Sequence, residues 1–330
     1  MNTNKIDYSI VIPVYFNEGC LESTMRSLRE EVIDKNPDYR CEVIFVDDGS
    51  GDASMKELIS IRQRNPENIK IIKMTRNFGQ VNALIAGFTH AKGRCVVAMS
   101  ADGQDPANLI NDMLKAYFSE GYEVVICTRS GRDESIYRII TSKIFYALMR
   151  KLTFPNMPQG GFDFTLMGQR AMQVFLRNID SSLFFQGQIL WMGFKTKFIE
   201  YHRRERVAGV SRWTFAKKLT YLIDGVMAFS FTPIRFASIA GAVLALCGFL
   251  YALLVFVSFF LYGHPVKGWS PIIIVVLVIG GFQLLMQGII GEYTWRTLAQ
   301  ARNREMYVID EIHDQEHDQL NQAPPGTGVR

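Results

Sequence analysis

Short apolar runs alternate with amphipathic segments over the first 130 residues of the chain. The apolar runs are rich in valine and isoleucine and have the length of strands, at residues 8–15, 41–47, 69–75, 95–99 and 122–128. Segments with helical spacing of apolar residues lie between them, at 18–33, 55–64, 81–91 and 107–118. This alternation predicts an α/β domain whose mainly parallel sheet is covered by helices on both faces.

Two long apolar segments lie in the last third of the chain. Residues 236–261 and 271–290 contain no charged side chain, and each segment is long enough to cross a bilayer as a helix. We expect the second helix to continue to about residue 293. Because Arg235 precedes the pair and Arg296 follows it, the positive-inside rule predicts a two-helix transmembrane hairpin with both ends in the cytoplasm.

Two amphipathic segments precede this hairpin. Around residues 135–152, apolar residues recur at helical spacing among basic ones, and residues 213–227 repeat the pattern. Such segments are typical of helices that lie in a membrane interface. For the first segment, periodicity alone leaves open a core helix of the globular domain with a basic outer face.

These patterns divide the 330 residues into three parts. We expect a cytoplasmic α/β domain with its amphipathic helices over 1–230, a membrane part over 231–295, and a polar, partly disordered cytoplasmic tail over 296–330. His313 and His317 lie four residues apart in the tail, where a solvated segment is favoured over a metal site. Residues 1–7 are short and polar, so we expect no signal peptide.

Charge and cysteine content narrow the choice of partners. The formal net charge of +4 is too weakly basic to indicate a nucleic-acid partner. The five cysteines are far apart and form no CxxC pair, which favours free thiols in a reducing compartment over disulfides or zinc. The sequence also lacks the GxGxxG and GxxxxGKS/T phosphate-binding loops.

The turn after the fourth predicted strand carries the first candidate chemistry. Asp102, Gln104 and Asp105 follow that strand, and Pro106 suits the first turn of the next helix. Open α/β sheets bind ligands at the carboxyl ends of their strands. Oxygen ligands at this spacing suit a hard divalent cation, which also neutralises a diphosphate. Taken alone, a solvated turn explains these residues better, but the other strand ends change the balance.

Polar residues also end the first three predicted strands. The motifs are PVYFNE at 13–18, VDDGS at 46–50 with Asp52, and RNFG at 76–79. Because the carboxyl ends of parallel strands meet at one edge, these side chains predict a rim that hydrogen-bonds a base and a ribose.

Together with ADGQDP at 101–106, these motifs resemble family 2 glycosyltransferases of the GT-A fold. Within that family the chain is similar to polyprenyl-phosphate glycosyltransferases, such as dolichol-phosphate mannosyltransferase and the bacterial GtrB-type glucosyltransferases. The resemblance extends from about residue 8 to residue 302 and includes the two apolar spans.

The resemblance implies a role for each matching residue. It implies nucleotide binding by Pro13, Tyr15, Glu18, Asp47, Asp48, Arg76 and Asp102. It implies a Mg²⁺ or Mn²⁺ site at Asp102 and Gln104. It implies acceptor-phosphate binding by Arg129, Arg138, Ser142, Arg206 and Ser211. The catalytic set that it implies is Asp102, Asp163 and Arg206, with the role of Asp163 open between a base and a group that orients a sugar hydroxyl.

One position departs from the family pattern. The family usually has DADLQDP, whereas this chain has Ser100 in place of the first Asp and Gly103 in place of the Leu. A missing carboxylate lowers the negative charge offered to a cation, so we expect weakened or altered metal use rather than loss of activity.

The resemblance implies an inverting transfer of a hexose-type sugar from a nucleotide sugar, with UDP expected, to a polyprenyl (undecaprenyl) phosphate in the bacterial inner membrane. The lipid-linked product would serve modification of cell-envelope glycans. Two alternatives stay open: a processive polysaccharide synthase, although its QxxRW motif and additional spans are missing, and a degenerate membrane scaffold, suggested by Ser100. The partners are the donor, the lipid and the membrane. Glycines at 280, 281, 288 and 291 also allow close packing in a homo-oligomer.

Overall fold

The computed structural model describes residues 5–66, 68–129, 146–158, 161–179, 184–202, 225–230, 232–262, 269–302 and 304–315. The chain divides into two compact units. Unit 1 comprises Met1–Leu222 and Glu305–Arg330, and unit 2 comprises Ile223–Arg304.

Unit 1 is built on one sheet, which has eight strands in the described part of the chain. In chain order they are β1 Tyr8–Val14, β2 Cys41–Asp47, β3 Ile69–Met74, β4 Cys95–Ala98, β5 Val124–Arg129, β6 Thr165–Gly168, β7 Thr196–Tyr201 and β8 Ile309–His313. Their order across the sheet is β7-β5-β6-β4-β1-β2-β3-β8. Strands β6 and β8 run antiparallel to their neighbours, while the other pairs are parallel. The predicted α/β class with a mainly parallel sheet is confirmed.

Helices follow most of the strands in unit 1. They are α1 Leu21–Leu28, α2 Ser54–Arg64, α3 Gln80–His90, α4 Leu109–Phe118, α5 Gln169–Arg177 and α6 Phe185–Trp191. The segment predicted as one helix over 18–33 begins later and changes to a π-helix over Arg29–Ile33. The predicted interfacial segments, 135–152 and 213–227, lie mostly outside the described residues. Their described parts are helical, at 146–152 and from 225 in a helix that continues to 229.

Strand β1 lies inside the sheet and is buried on both faces, which explains its nearly continuous apolar sequence. Ile10, Ile12 and Val14 have no exposed surface. A fully buried side chain of this size contributes about 1.5–3 kcal/mol to folding. On the other face, helix α3 packs so closely against β1 that a Cβ at Gly87 would overlap Cγ1 of Val11.

Strand β8 lies within residues 296–330, the segment that the sequence predicts to be a partly disordered tail. It pairs antiparallel with β3, with Ile72 opposite Ile312. Lys73 of β3 lies 2.7 Å from Asp310 and 3.0 Å from Glu311, so acidic tail residues meet basic residues of the sheet edge. The sequence did not indicate this strand because only Ile309 and Ile312 are apolar.

Unit 2 consists mainly of two long helices, α7 Thr232–Tyr262 and α8 Trp269–Ala301, which contact each other. Within α7, Ile234–Ser258 is long and apolar enough to cross a membrane, and it is the one such segment among the described residues. The predicted second span coincides with α8, but the two-helix transmembrane hairpin stays a prediction.

Changing Gly87 to Ala should destabilise unit 1 by about 1–3 kcal/mol, because the added methyl group overlaps Val11 in a tightly packed core. Denaturant unfolding of the detergent-solubilised protein measures the effect. The double variant Gly87→Ala/Val11→Ala removes the overlapping methyl groups and should be less destabilised than the sum of the two single changes. Additive effects would show that this contact does not limit the packing.

Candidate functional site

The turn after β4 is held together by carboxylates. The Ser100 hydroxyl lies 2.6 Å from Oδ2 of Asp105 and 2.9 Å from Oδ1 of Asp102. The backbone N–H of Ser100 donates to Asp105, and that of Gln104 donates to Asp102. Asp105 is buried, whereas Asp102 and Gln104 are half-buried. Ser100, where the family pattern has an acid, therefore organises this turn through hydrogen bonds.

Asp48 organises the loop after β3. Its carboxylate accepts the backbone N–H groups of Phe78 at 2.6 Å and Gly79 at 2.9 Å, and the Asn77 amide at 3.0 Å. Burial raises the pKa of Asp48, while the N–H groups of Phe78 and Gly79 oppose that rise. Asp48, for which the sequence predicts nucleotide binding, therefore also holds the loop that carries Arg76.

Two further features support the same rim. Asp47 is buried at the end of β2, where burial raises its pKa and the Ser50 backbone N–H donates to it. A Cβ at Gly49 would lie 2.6 Å from the Arg76 carbonyl carbon, so only glycine permits this approach. The Arg76 guanidinium itself lies 4.0 Å from the centre of the Phe78 ring.

The loop after β1 interlocks with the loop after β2. The Glu18 N–H donates to Asp52, and a Glu18 carboxylate oxygen accepts the Ala53 N–H at 3.2 Å. The Phe16 N–H donates to the Ser50 hydroxyl, in a backbone with φ of 55°. Pro13 and Tyr15 lie at the carboxyl end of β1, so the nucleotide-binding residues predicted from β1 and β2 share one edge of the sheet.

Arg129 ends β5 and forms an ion pair with Asp163. Their Nη2 and Oδ2 atoms are 2.7 Å apart, and the Arg129 side chain is 7% exposed against 45% for Asp163. Burial lowers the pKa of Arg129, but the charge of Asp163 and the neighbouring Tyr201 outweigh it, so the pKa lies above its usual value. The Nε atom of Arg129 is buried and has no hydrogen-bond partner among the described residues.

Tyr201 joins this ion pair to the turn after β4. It stands opposite Arg129 in the parallel pairing of β5 and β7, and its hydroxyl donates to Oδ1 of Asp105 at 2.8 Å. Burial, followed by the charge of Asp105, raises the pKa of Tyr201. Sequence reasoning missed this residue, because the segment TKFIEY lacks the regular alternation of apolar and polar residues that would indicate a strand.

The other predicted acceptor residues, Arg138, Ser142, Arg206 and Ser211, lie outside the described residues. The predicted site residues that the structure describes come from the carboxyl ends of β1–β5, except Asp163, which lies just before the antiparallel strand β6. Within the described part, no three or more His, Cys, Asp or Glu side chains converge as a metal cluster. A cation site at Asp102 and Gln104, which both lie in the turn after β4, stays a prediction.

Comparisons with known proteins find one matching family and relatives that cover more than 90% of this chain. The family described as "Glycosyl transferase family 2" matches residues 9–184. The uncharacterized glycosyltransferase YkcC of Bacillus subtilis is 35% identical, covering 96% of this chain and 97% of its own length. An SfII prophage-derived bactoprenol glucosyl transferase of Shigella flexneri is 31% identical, covering 92% of this chain and 98% of its own length.

A solved structure of the mannosyltransferase PcManGT from Pyrobaculum calidifontis, in complex with GDP-Man and Mn²⁺, is also similar. Its sequence identity is 19% and its TM-score is 0.49, covering 71% of this chain and 65% of that chain.

Changing Ser100 to Ala should lower the free energy of unfolding by about 1–3 kcal/mol, because the buried Asp105 loses a donor that water cannot replace. Denaturant unfolding measures this loss. Ser23→Ala is the matched control, since it also removes a serine hydroxyl. The Cys20 carbonyl that this hydroxyl contacts still accepts hydrogen bonds from the N–H and the hydroxyl of Thr24. Equal effects of the two changes would contradict the organising role of Ser100.

Proposed function

The chain belongs to glycosyl transferase family 2, and we propose that this glycosyltransferase moves a hexose-type sugar from a nucleotide sugar, with UDP as the expected nucleotide, to a polyprenyl phosphate. Relatives named bactoprenol glucosyl transferase support this substrate pair. The observation that carries the proposal is the buried Arg129, whose guanidinium lies at the sheet edge that also bears the predicted donor residues.

In this proposal Arg129 binds the acceptor phosphate. The second pKa of a phosphomonoester is near ~6, so the lipid phosphate is anionic at neutral pH and acts as its own nucleophile. Its approach to the donor diphosphate is opposed by charge repulsion, which a buried guanidinium offsets. The guanidinium of Arg129, at the end of a side chain that is 7% exposed, is a planar donor group suited to phosphate oxygens.

The transfer then exchanges one bond at the anomeric carbon. A phosphate oxygen forms the new C–O bond, the bond to the nucleoside diphosphate breaks, and attack from the opposite face inverts the anomeric centre. Because the nucleophile is already ionised, the step needs no general base. Asp163 contacts Arg129, so we assign it to holding that guanidinium and orienting a sugar hydroxyl rather than to taking a proton.

On the donor side, Asp47, Asp48 and Arg76 would bind the base and ribose, with Pro13, Tyr15 and Glu18 forming the neighbouring rim. Asp102 and Gln104 fit Mg²⁺ or Mn²⁺, because both supply hard oxygen atoms and such ions commonly take their remaining ligands from substrate phosphates and water. When bound, the cation neutralises charge on the leaving diphosphate.

A membrane anchor explains how a water-soluble donor and a lipid acceptor meet. Span Ile234–Ser258 supports anchoring, and we propose that α8 forms the second span of a hairpin in the bacterial inner membrane. Unit 1 would then lie on the cytoplasmic side, with residues 135–152 and 213–227 in the interface. The isoprenoid tail would stay in the bilayer while its phosphate reaches Arg129.

The transfer itself is tested with full-length protein in vesicles that contain undecaprenyl phosphate. UDP-glucose, UDP-N-acetylglucosamine and GDP-mannose are supplied in turn, and lipid products are identified by mass. One sugar per lipid is the expected product. Long sugar chains would indicate a processive synthase instead, and no lipid-linked product with any donor would indicate a scaffold.

Arg129→Lys should raise the KM for undecaprenyl phosphate tenfold or more, about 1.4 kcal/mol, while the KM for the nucleotide sugar changes less than threefold. Lysine keeps the buried charge but loses the planar pair of N–H donors. Steady-state kinetics in the vesicle assay separates the two constants. Arg64→Lys on α2, where the arginine side chain is 59% exposed, is the control. A change confined to the donor KM would contradict the acceptor role.

Addition of Mn²⁺ should raise the affinity for UDP about tenfold or more, about 1.4 kcal/mol, because the proposed ligands Asp102 and Gln104 supply one carboxylate and one amide, and the diphosphate would supply further oxygens. Calorimetric titration of UDP with and without Mn²⁺ measures this difference. Asp102→Asn should abolish most of it, whereas Asp38→Asn, at an exposed position, should leave it unchanged. An equal gain in Asp102→Asn would place the cation elsewhere.

A further inference from the structure

A chain of polar contacts runs along the sheet edge from the turn after β4, where the nucleotide sugar is predicted to bind, to Arg129, where the lipid phosphate is predicted to bind. It runs through Ser100, Asp105, Tyr201, Arg129 and Asp163, which we call the edge network. Ser100 and Tyr201 contact opposite oxygens of the Asp105 carboxylate, at 2.6 Å and 2.8 Å. Arg129 and Asp163 close the other end at 2.7 Å.

The position of Tyr201 in this network is fixed by the backbone. β5 and β7 pair in parallel with Arg129 opposite Tyr201, and opposite residues in such a pair project from the same face of the sheet. The ring of Tyr201 packs edge-to-face against Phe164, with ring centres 6.2 Å apart. Only 5% of Tyr201 is exposed, so water does not compete for its hydroxyl.

The hydroxyl has one proton and two lone pairs. The proton goes to Asp105, so the oxygen lone pairs remain available to the guanidinium of Arg129, the residue opposite Tyr201 in the register of β5 and β7. A phenylalanine would pack against Phe164 equally well, but it would leave an oxygen of the buried Asp105 without this donor. The packing of the ring therefore does not explain why the residue is tyrosine.

We propose that Tyr201 is a positioning residue that couples the donor turn at 100–105 to the acceptor-binding Arg129. This inference rests on the proposed function. Any ordering of Asp102 and Gln104 by the nucleotide acts on the same short turn as Asp105, and Tyr201 transmits the position of Asp105 to the guanidinium. The hydroxyl thus keeps both substrate sites in register without touching either substrate.

The test measures binding of each substrate separately, with full-length Tyr201→Phe in detergent. UDP is titrated in the presence of Mn²⁺, and undecaprenyl phosphate is titrated without nucleotide. We expect both dissociation constants to rise about fivefold or more, because loss of the hydroxyl loosens both ends of the network. A residue with a merely structural role would reduce the amount of folded protein but leave both constants unchanged.

Two variants control for the loss of a hydroxyl and for packing. Tyr117→Phe removes a hydroxyl that donates to the Arg94 carbonyl at 2.9 Å, away from the network, and should leave both constants within twofold. Phe164→Leu alters the packing of the Tyr201 ring but keeps the hydroxyl, and should have an equally small effect. If Tyr201→Phe does not fold, Asp105→Asn replaces it, because the amide weakens the same contact from the other side.

An effect of Tyr201→Phe on both constants supports the coupling, whereas an effect on neither, or on one alone, overturns it. The proposed function fails separately. If the wild-type protein binds UDP and undecaprenyl phosphate but makes no lipid-linked sugar, transfer to polyprenyl phosphate is refuted, while the two binding measurements still decide the role of Tyr201.

Discussion

The site depends on the requirement that a buried carboxylate have hydrogen-bond donors for its oxygens. Asp105 meets this requirement with Ser100 and Tyr201, which lie at positions 100 and 201 of the chain. Asp48 meets it with backbone N–H groups at 78 and 79. Each carboxylate thereby holds a loop at the carboxyl edge of the sheet. Hydrogen bonds to buried carboxylates therefore shape that edge as much as apolar packing does.

The same constraint bears on catalysis. A transfer between two phosphates must manage negative charge more than it must move protons, and this edge supplies a buried guanidinium together with carboxylates that fix its place. In the absence of a substrate, the carboxylate of Asp163 balances the charge of Arg129, because an unpaired buried charge would destabilise the fold. A phosphate that binds Arg129 would find a donor group already oriented, which reduces the entropy lost on binding.

The C-terminal segment gives the sheet an unexpected edge. After α8 the chain contributes β8, and the Thr75 N–H donates to the Val308 carbonyl, one residue before Arg76. Lys70 and Asp314 form a largely buried ion pair at 3.4 Å beside it. The strand therefore covers the exposed edge of β3 and borders the loop that Asp48 organises, so the tail belongs to the α/β unit although it follows the long helices.

The sequence by itself determined the five strands β1–β5, the parallel character of the sheet, the family, and which polar residues end each strand. These signals are local: buried strands read as apolar runs, and motifs such as ADGQDP are contiguous. Tertiary structure alone decided the rest. The segment IDEIH becomes a strand only because β3 offers a free edge with Lys73 beside it, and Tyr201 acquires its role only because β7 pairs with β5 in one register. Pairing between distant segments leaves no periodicity in either segment, so no pattern along the chain could have revealed it.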